Sequence, residues 1–130
     1  MIPSPLQKYQ QSSVQTASPG QLVVMLYDGA IRFVKLGIMG IEERDIAKAN
    51  NALIRAQNII NELIASLNFD IPISRNLLEI YDYMVRRLIE ANLKKVKGPA
   101  EEVLTYLEEL RGAWAQIVSS PGPDKAPNAG

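Results

Sequence analysis

Three adjacent acidic pairs, Glu42-Glu43, Glu101-Glu102 and Glu108-Glu109, are the first residues of this chain with a chemistry to offer. Paired carboxylates can divide general-acid and general-base work when their surroundings push their pKa values apart. Here each pair consists of sequence neighbours in a stretch of helical pattern, so the two side chains diverge by about 100° and read as a solvated face. Negative charge in a first helical turn is also favoured by the macrodipole. Five cations, Arg32, Lys35, Arg55, Arg86 and Arg87, could grip a dicarboxylate inside an all-α enzyme, but each falls on the polar arc of its helix. Lys94, Lys95 and Lys97 sit where a helix ends, the position at which the macrodipole favours cations.

What is missing narrows the field further. Without a histidine the chain lacks the commonest general base and the commonest metal ligand. It therefore cannot write the Glu-x-x-His pairs of a di-metal helical bundle. No cysteine is present, which rules out disulfides and thiolate chemistry, and no Gly-rich loop leads into Lys-Ser/Thr as nucleotide binding would require. Neither enzyme activity nor a cofactor or metal is expected. Fourteen basic residues balance fourteen acidic ones, so neither nucleic acid nor an anionic membrane is an expected partner. The start, Met1-Ile2-Pro3-Ser4-Pro5, lacks the basic and apolar run of a secretory signal, and three charges interrupt the most apolar segment. A cytoplasmic protein without membrane insertion is expected.

The elements that position these residues are all helical. At 130 residues the chain suits one domain with a real core. Ser18-Pro19-Gly20-Gln21 reads as an N-cap, a proline at the first helical position and a capping-box glutamine, with Gly40 as the expected stop. A second helix is expected from about Asp45 to Leu67, with a seam of Ile46, Ala49, Leu53, Ala56, Ile60, Leu63 and Leu67. Pro72 breaks the chain before a third helix over roughly Ile73 to Val96, whose seam is Leu77, Tyr81, Met84, Leu88 and Ala91. Gly98-Pro99 precedes a fourth helix to Val118, with Val103, Leu107, Leu110, Trp114 and Ile117 on one stripe. The expected fold is all-α: an antiparallel four-helix bundle over residues 18–118, an N-terminal segment (1–17) packed on it, and a disordered tail from Ser119 to Gly130.

This pattern contains more apolar surface than a closed bundle needs. In the first helix, LVVMLYDGAIRFVKLGIM, the only charges are Asp28, Arg32 and Lys35, on one narrow stripe. Apolar side chains cover roughly 260° of the circumference, against little more than 100° for an ordinary surface helix. Two coverings are compatible with this. The first helix is central and residues 1–17 hide the remainder, or a groove accepts amphipathic helices of another chain. The second helix adds a small-residue row of Ala47, Ile54 and Ala65 with Asn50 and Asn61, and the third adds Leu78, Val85, Ile89 and Val96.

The same residues carry a resemblance. Thr16-Ala17-Ser18-Pro19, Gln21-Leu22-Val23 and Met25-Leu26-Tyr27-Asp28-Gly29-Ala30 resemble the opening motif of the flagellin export chaperones, the FliS family. Ala49-Asn50, Ala56, Ile59-Ile60, Leu63, Leu77, Tyr81-Asp82-Tyr83-Met84, Arg87-Leu88, Glu90-Ala91-Asn92 and Trp114 extend it across nearly the whole chain from Tyr9. The loop Asn68–Ile73 departs by lacking the glycine pair common in relatives. The resemblance implies a helical bundle that binds the disordered C-terminal segment of flagellin, prevents premature polymerisation and delivers the client to the flagellar type III export gate. It also implies an N-terminal segment able to occupy a groove the client uses. A further regulatory partner of the flagellar system, and a homodimer in the absence of client, stay open.

On this reading Tyr27, Ile54, Leu78, Val85 and Ile89 face the client, while Ile2, Leu6, Tyr9 and Val14 shield apolar area in the free state. Tyr81, Met84 and Trp114 are expected in the core. The alternative is a structural helical subunit that oligomerises through the same apolar surface.

Overall fold

The computed structural model describes residues 18–119. It contains four helices, α1 (Pro19–Glu42), α2 (Ile46–Ala65), α3 (Ser74–Lys94) and α4 (Gly98–Ser119), and no strand among the described residues. The expected cover segment 1–17 and tail 120–130 lie outside them. Ser119, assigned to the tail by sequence, is the last residue of α4.

The start of α1 follows from its capping box. The Gln21 backbone N–H donates to Ser18 Oγ at 3.2 Å, and the Ser18 N–H donates to Gln21 Oε1 at 2.9 Å, so two otherwise orphaned donors are satisfied. Its end differs from expectation. Gly40 does not stop the helix but lies buried inside it, because it faces α2 at a close crossing. A Cβ at Gly40 would stand 2.6 Å from the Ala49 backbone nitrogen, and one at Gly37 would stand 2.5 Å from Leu53 Cδ2. The stop is made instead at Arg44, which takes a left-handed φ of 57°. The Asp45 N–H then reaches back to the Gly40 carbonyl at 2.8 Å. Asp45 also caps α2, accepting from the Lys48 N–H at 3.0 Å.

The connection from α2 to α3 is closed by polar side chains rather than by glycines. Asn68 Oδ1 accepts from the Asp70 N–H at 3.0 Å, and Ser74 Oγ donates to the Asn68 carbonyl at 2.6 Å. The last turn of α3 ends at Lys95, also left-handed with φ 52°, whose ammonium bonds the Asn92 carbonyl at 2.6 Å. This is the cation-at-C-terminus arrangement expected for the lysine cluster.

Helix α1 packs on α2 and α4, and α3 packs on the same two, so the four helices form a square in which sequential neighbours run antiparallel. Helix α1 is thus a corner of the bundle and not its central support. Its inner edge, Tyr27, Ala30 and Val34, meets Leu53, Ala56 and Ile60 of α2, Tyr81, Met84 and Leu88 of α3, and Val103 and Leu107 of α4 in one core. Much of the remaining apolar circumference, including Val24, Met25 and Leu36, is only half-buried. The charged stripe is not simply solvated either. Arg111 donates to Asp28 at 2.8 Å and Lys35 lies 4.0 Å from Glu108, so two of its three charges bridge α1 to α4. Arg32 leans over the Phe33 ring.

Two glycine substitutions separate close packing from helix propensity. Gly40→Ala should lower stability by about 1–3 kcal/mol, because the Ala49 backbone must move. Gly112→Ala, where an added Cβ meets nothing within 4 Å, should raise it by up to about 1 kcal/mol. Thermal unfolding followed by far-UV circular dichroism reads both shifts.

Candidate functional site

The register between α2 and α3 is fixed by one polar contact across their outer seam. Asn92 Nδ2 donates to Asn50 Oδ1 at 2.8 Å. Because the two helices run antiparallel, residues one and two turns inward from this pair come opposite each other. Ile54 then lies at the level of Ile89, Gln57 at that of Val85, and Ile64 at that of Leu78. The four residues expected from sequence on these two helices are therefore brought to one side of the bundle. Ile54 and Ile89 are exposed at 41% and 40%, and Leu78 and Val85, further along the same side of α3, are half-buried. Val85 packs directly on core side chains.

Tyr27 is placed differently. It is fully buried, behind the surface and not on it. Its hydroxyl hydrogen-bonds the hydroxyl of Tyr81, also buried, across the bundle from α1 to α3, with ring centroids 6.4 Å apart. The pairing explains why two phenols can sit in an apolar core: each satisfies the other's polar atom. Burial pushes both hydroxyls above the ordinary tyrosine pKa. Tyr81 and Met84 occupy the core as expected, and Trp114 is half-buried against it.

Sequence reasoning missed the open end of the bundle. A cavity of about 270 Å³ reaches from the surface down to Tyr81, between the first turns of α1 and α3 and the last turns of α2 and α4. Val23, Leu67, Ile71, Ile73 and Trp114 are among its walls. Phe69, Ile71 and Ile73, on the connection read only as a helix breaker, are exposed at 51%, 43% and 57%. The available signal was their alternation: three large apolar residues spaced by two within a loop that has no core of its own to fill.

Many of the charged side chains form surface bridges. Arg87 bonds Glu102 at 2.7 Å and Glu90 at 2.8 Å, while Arg86 pairs with Asp82 at 3.4 Å. Tyr83 and Tyr106 also donate to Glu102, and Arg87 above all holds that carboxyl below its ordinary pKa. Arg55, like Arg32, lies over Phe33. At least one member of each acidic pair is tied to a cation, Glu42 to Lys97, Glu43 to Lys48, Glu102 to Arg87 and Glu108 to Lys35.

Exposed apolar rows of this kind mark surfaces at which amphipathic helices of another chain can dock. A family profile described as "Flagellar protein FliS" matches residues 2–121. The chain belongs to the FliS family. It is 43% identical over 129 residues to the flagellar secretion chaperone FliS of Bacillus subtilis (strain 168), covering 99% of this chain and 97% of that one. Identity to the FliS chaperone of Salmonella typhimurium is 42% over 110 residues, 82% of each chain. To that of Escherichia coli it is 34% over 114 residues, 85% of this chain and 84% of the other. These FliS relatives are chaperones and not enzymes, in keeping with a site built from apolar side chains.

The tyrosine pair makes alkaline stability a direct probe of this core. A phenol whose pKa is raised on folding contributes stability that is complete below the unfolded value near 10 and is lost as pH rises toward the folded value. Stability should therefore fall above about pH 10, and the Tyr27→Phe/Tyr81→Phe double variant should show a shallower fall. Denaturant titrations between pH 8 and 11 measure the slope. Tyr27→Phe alone should cost about 1–3 kcal/mol by leaving the Tyr81 hydroxyl unpartnered.

Proposed function

We propose that this FliS-family chain is a cytoplasmic holding chaperone for the C-terminal segment of flagellin. It keeps that segment from polymerising and passes it to the flagellar type III export gate. The observation that carries this reading is the apolar side of α2 and α3, where Ile54, Leu78, Val85 and Ile89 share one seam. Apolar rows of a client helix gain by burial there, at about 25 cal/mol per Å² removed from water. Ordering the client consumes part of this, typically about 2–5 kcal/mol. Release needs no nucleotide site in this chain and follows from competition or from the export machinery drawing the client away.

The cavity at the open end extends the seam toward the start of α1, where residues 1–17 enter. On our reading Ile2, Leu6, Tyr9 and Val14 lie over apolar surface near this end in the free chaperone, and the client displaces them. The segment is the right kind of cover: it carries four apolar anchors in a polar, proline-containing stretch.

Calorimetry with a peptide spanning the C-terminal segment of the host's flagellin should give one-to-one binding, with a gain of helical signal in far-UV dichroism. Ile54→Asp and Ile89→Asp replace exposed side chains, so both variants should keep their helical signal while binding at least about tenfold more weakly. Unchanged affinity in both would remove the α2–α3 seam from the client site. Silence of the peptide, together with a stable dimer of the free chain, would instead mark a self-associating structural subunit. Deleting residues 1–13 should raise binding of a hydrophobic dye; unaltered dye binding would dismiss the cover.

A further inference from the structure

The opposite flank of α3 carries a second apolar groove, which the client reading does not use. It lies between α3 and α4, the most loosely packed of the four neighbouring helix pairs. A depression of about 460 Å³ there is lined by Ile80 and Tyr83 of α3, Tyr106 and Leu110 of α4, and the carboxylates Glu79 and Glu109. Tyr83 and Tyr106 close one end, with ring centroids 6.4 Å apart and both hydroxyls held by Glu102. Ile80, Tyr83 and Tyr106 are each more than a third exposed, an unusual concentration of large apolar side chains.

The antiparallel register set by Arg87 and Glu102 carries the groove further. One to three turns along, Ala113 comes opposite Asn76 and Ile117 opposite Ile73, and Ile117 and Ile73 are both exposed. From Tyr83 to Ile73 the strip is about 15 Å long, the length of nearly three helical turns. Ala113, exposed on α4, presents only a methyl group opposite Asn76.

The rim is acidic. Among the described residues neither Glu79 nor Glu109 has a cation within salt-bridge distance, and Arg87, on the same flank of α3, is already shared between Glu102 and Glu90. The apolar floor alone would accept any amphipathic helix; the two unpaired carboxylates make it selective.

We propose that the α3–α4 groove docks a basic amphipathic helix of a second protein, its apolar residues on Ile80, Leu110 and the two tyrosines and its Lys or Arg side chains against Glu79 and Glu109. The depression at Ile80 and Leu110 and the α2–α3 seam lie on opposite flanks of α3, and only at Ile73 does the strip reach the wall of the open-end cavity. The inference stands without the client reading, and a chaperone holding its client can still present this surface to another protein.

The test uses two synthetic helical peptides of about 15 residues. Both have leucines at i, i+3, i+4 and i+7, flanked by lysines in one and glutamates in the other. Binding to the full-length chain is followed by NMR chemical-shift mapping at low salt. The lysine peptide should perturb residues of the α3–α4 groove and bind at least tenfold more tightly than the glutamate peptide. The Glu79→Lys/Glu109→Lys double variant, altered only at the surface, should reverse that order, and Ile54→Asp should leave both affinities unchanged. Equal affinities for the two peptides, an order unaffected by the charge reversal, or perturbations mapping to the α2–α3 seam would each overturn the proposal. So would occupation of the groove by a second copy of the chain, seen as concentration-dependent self-association lost in Ile80→Asp.

Discussion

The close approach of α1 to α2 is the constraint from which the rest of the bundle follows. With Gly40 set against the Ala49 backbone and Gly37 against Leu53, these helices come together as near as backbone atoms allow. Helix α4 then tightens against α1, where Arg111 and Asp28 bridge the pair. Helix α3 completes the square but cannot be equally close to both of its neighbours. Most of the exposed large apolar residues lie along it or beside it: Phe69, Ile71, Ile73, Ile80, Tyr83, Ile89, Leu93 and Val96. Tight packing on one side of the molecule thus leaves binding surface on the other.

What keeps α3 in place despite looser flanks is a small number of polar anchors. The hydroxyls of Tyr27 and Tyr81 join it to α1 through the middle of the core. Asn92 ties its C-terminal end to α2, and Arg87 ties its middle to α4. Hydrogen bonds specify position because they are directional, most strictly for the buried tyrosine pair, whereas apolar contacts can slide. A chaperone that must expose apolar rows without losing its shape benefits from that division. Polar contacts hold the frame, and apolar side chains are left free to take a client.

Most of the architecture was legible in the helical periodicity. The capping box at Ser18, the start of the second helix near Asp45, the period of the seam Leu77–Ala91 and the break at Pro72 all rest on patterns within a few residues of one another. Local interactions can be read locally. Gly40 could not be read that way, since glycine near a helix end usually means termination, and only the position of Ala49 gives it a packing role. The first helix looked central for a related reason. Its apolar circumference was plain, but half-burial along Val24, Met25 and Leu36 depends on how many neighbours arrive, and among the described helices α2 and α4 do.

The candidate site divides along the same line. The sequence by itself determined that the chain has no histidine or cysteine, that it folds as helices, and that Ile54, Leu78, Val85 and Ile89 fall off the core seams. It also carried the family motif from Thr16 to Ala30. Only the tertiary structure decided that these four residues share one seam, that Tyr27 turns inward to Tyr81, and that Phe69, Ile71 and Ile73 border an open end. Periodicity says which face of a helix is apolar. Whether that face becomes core or groove depends on the distance to the next helix, which here was settled by glycines and tyrosines far apart in the chain.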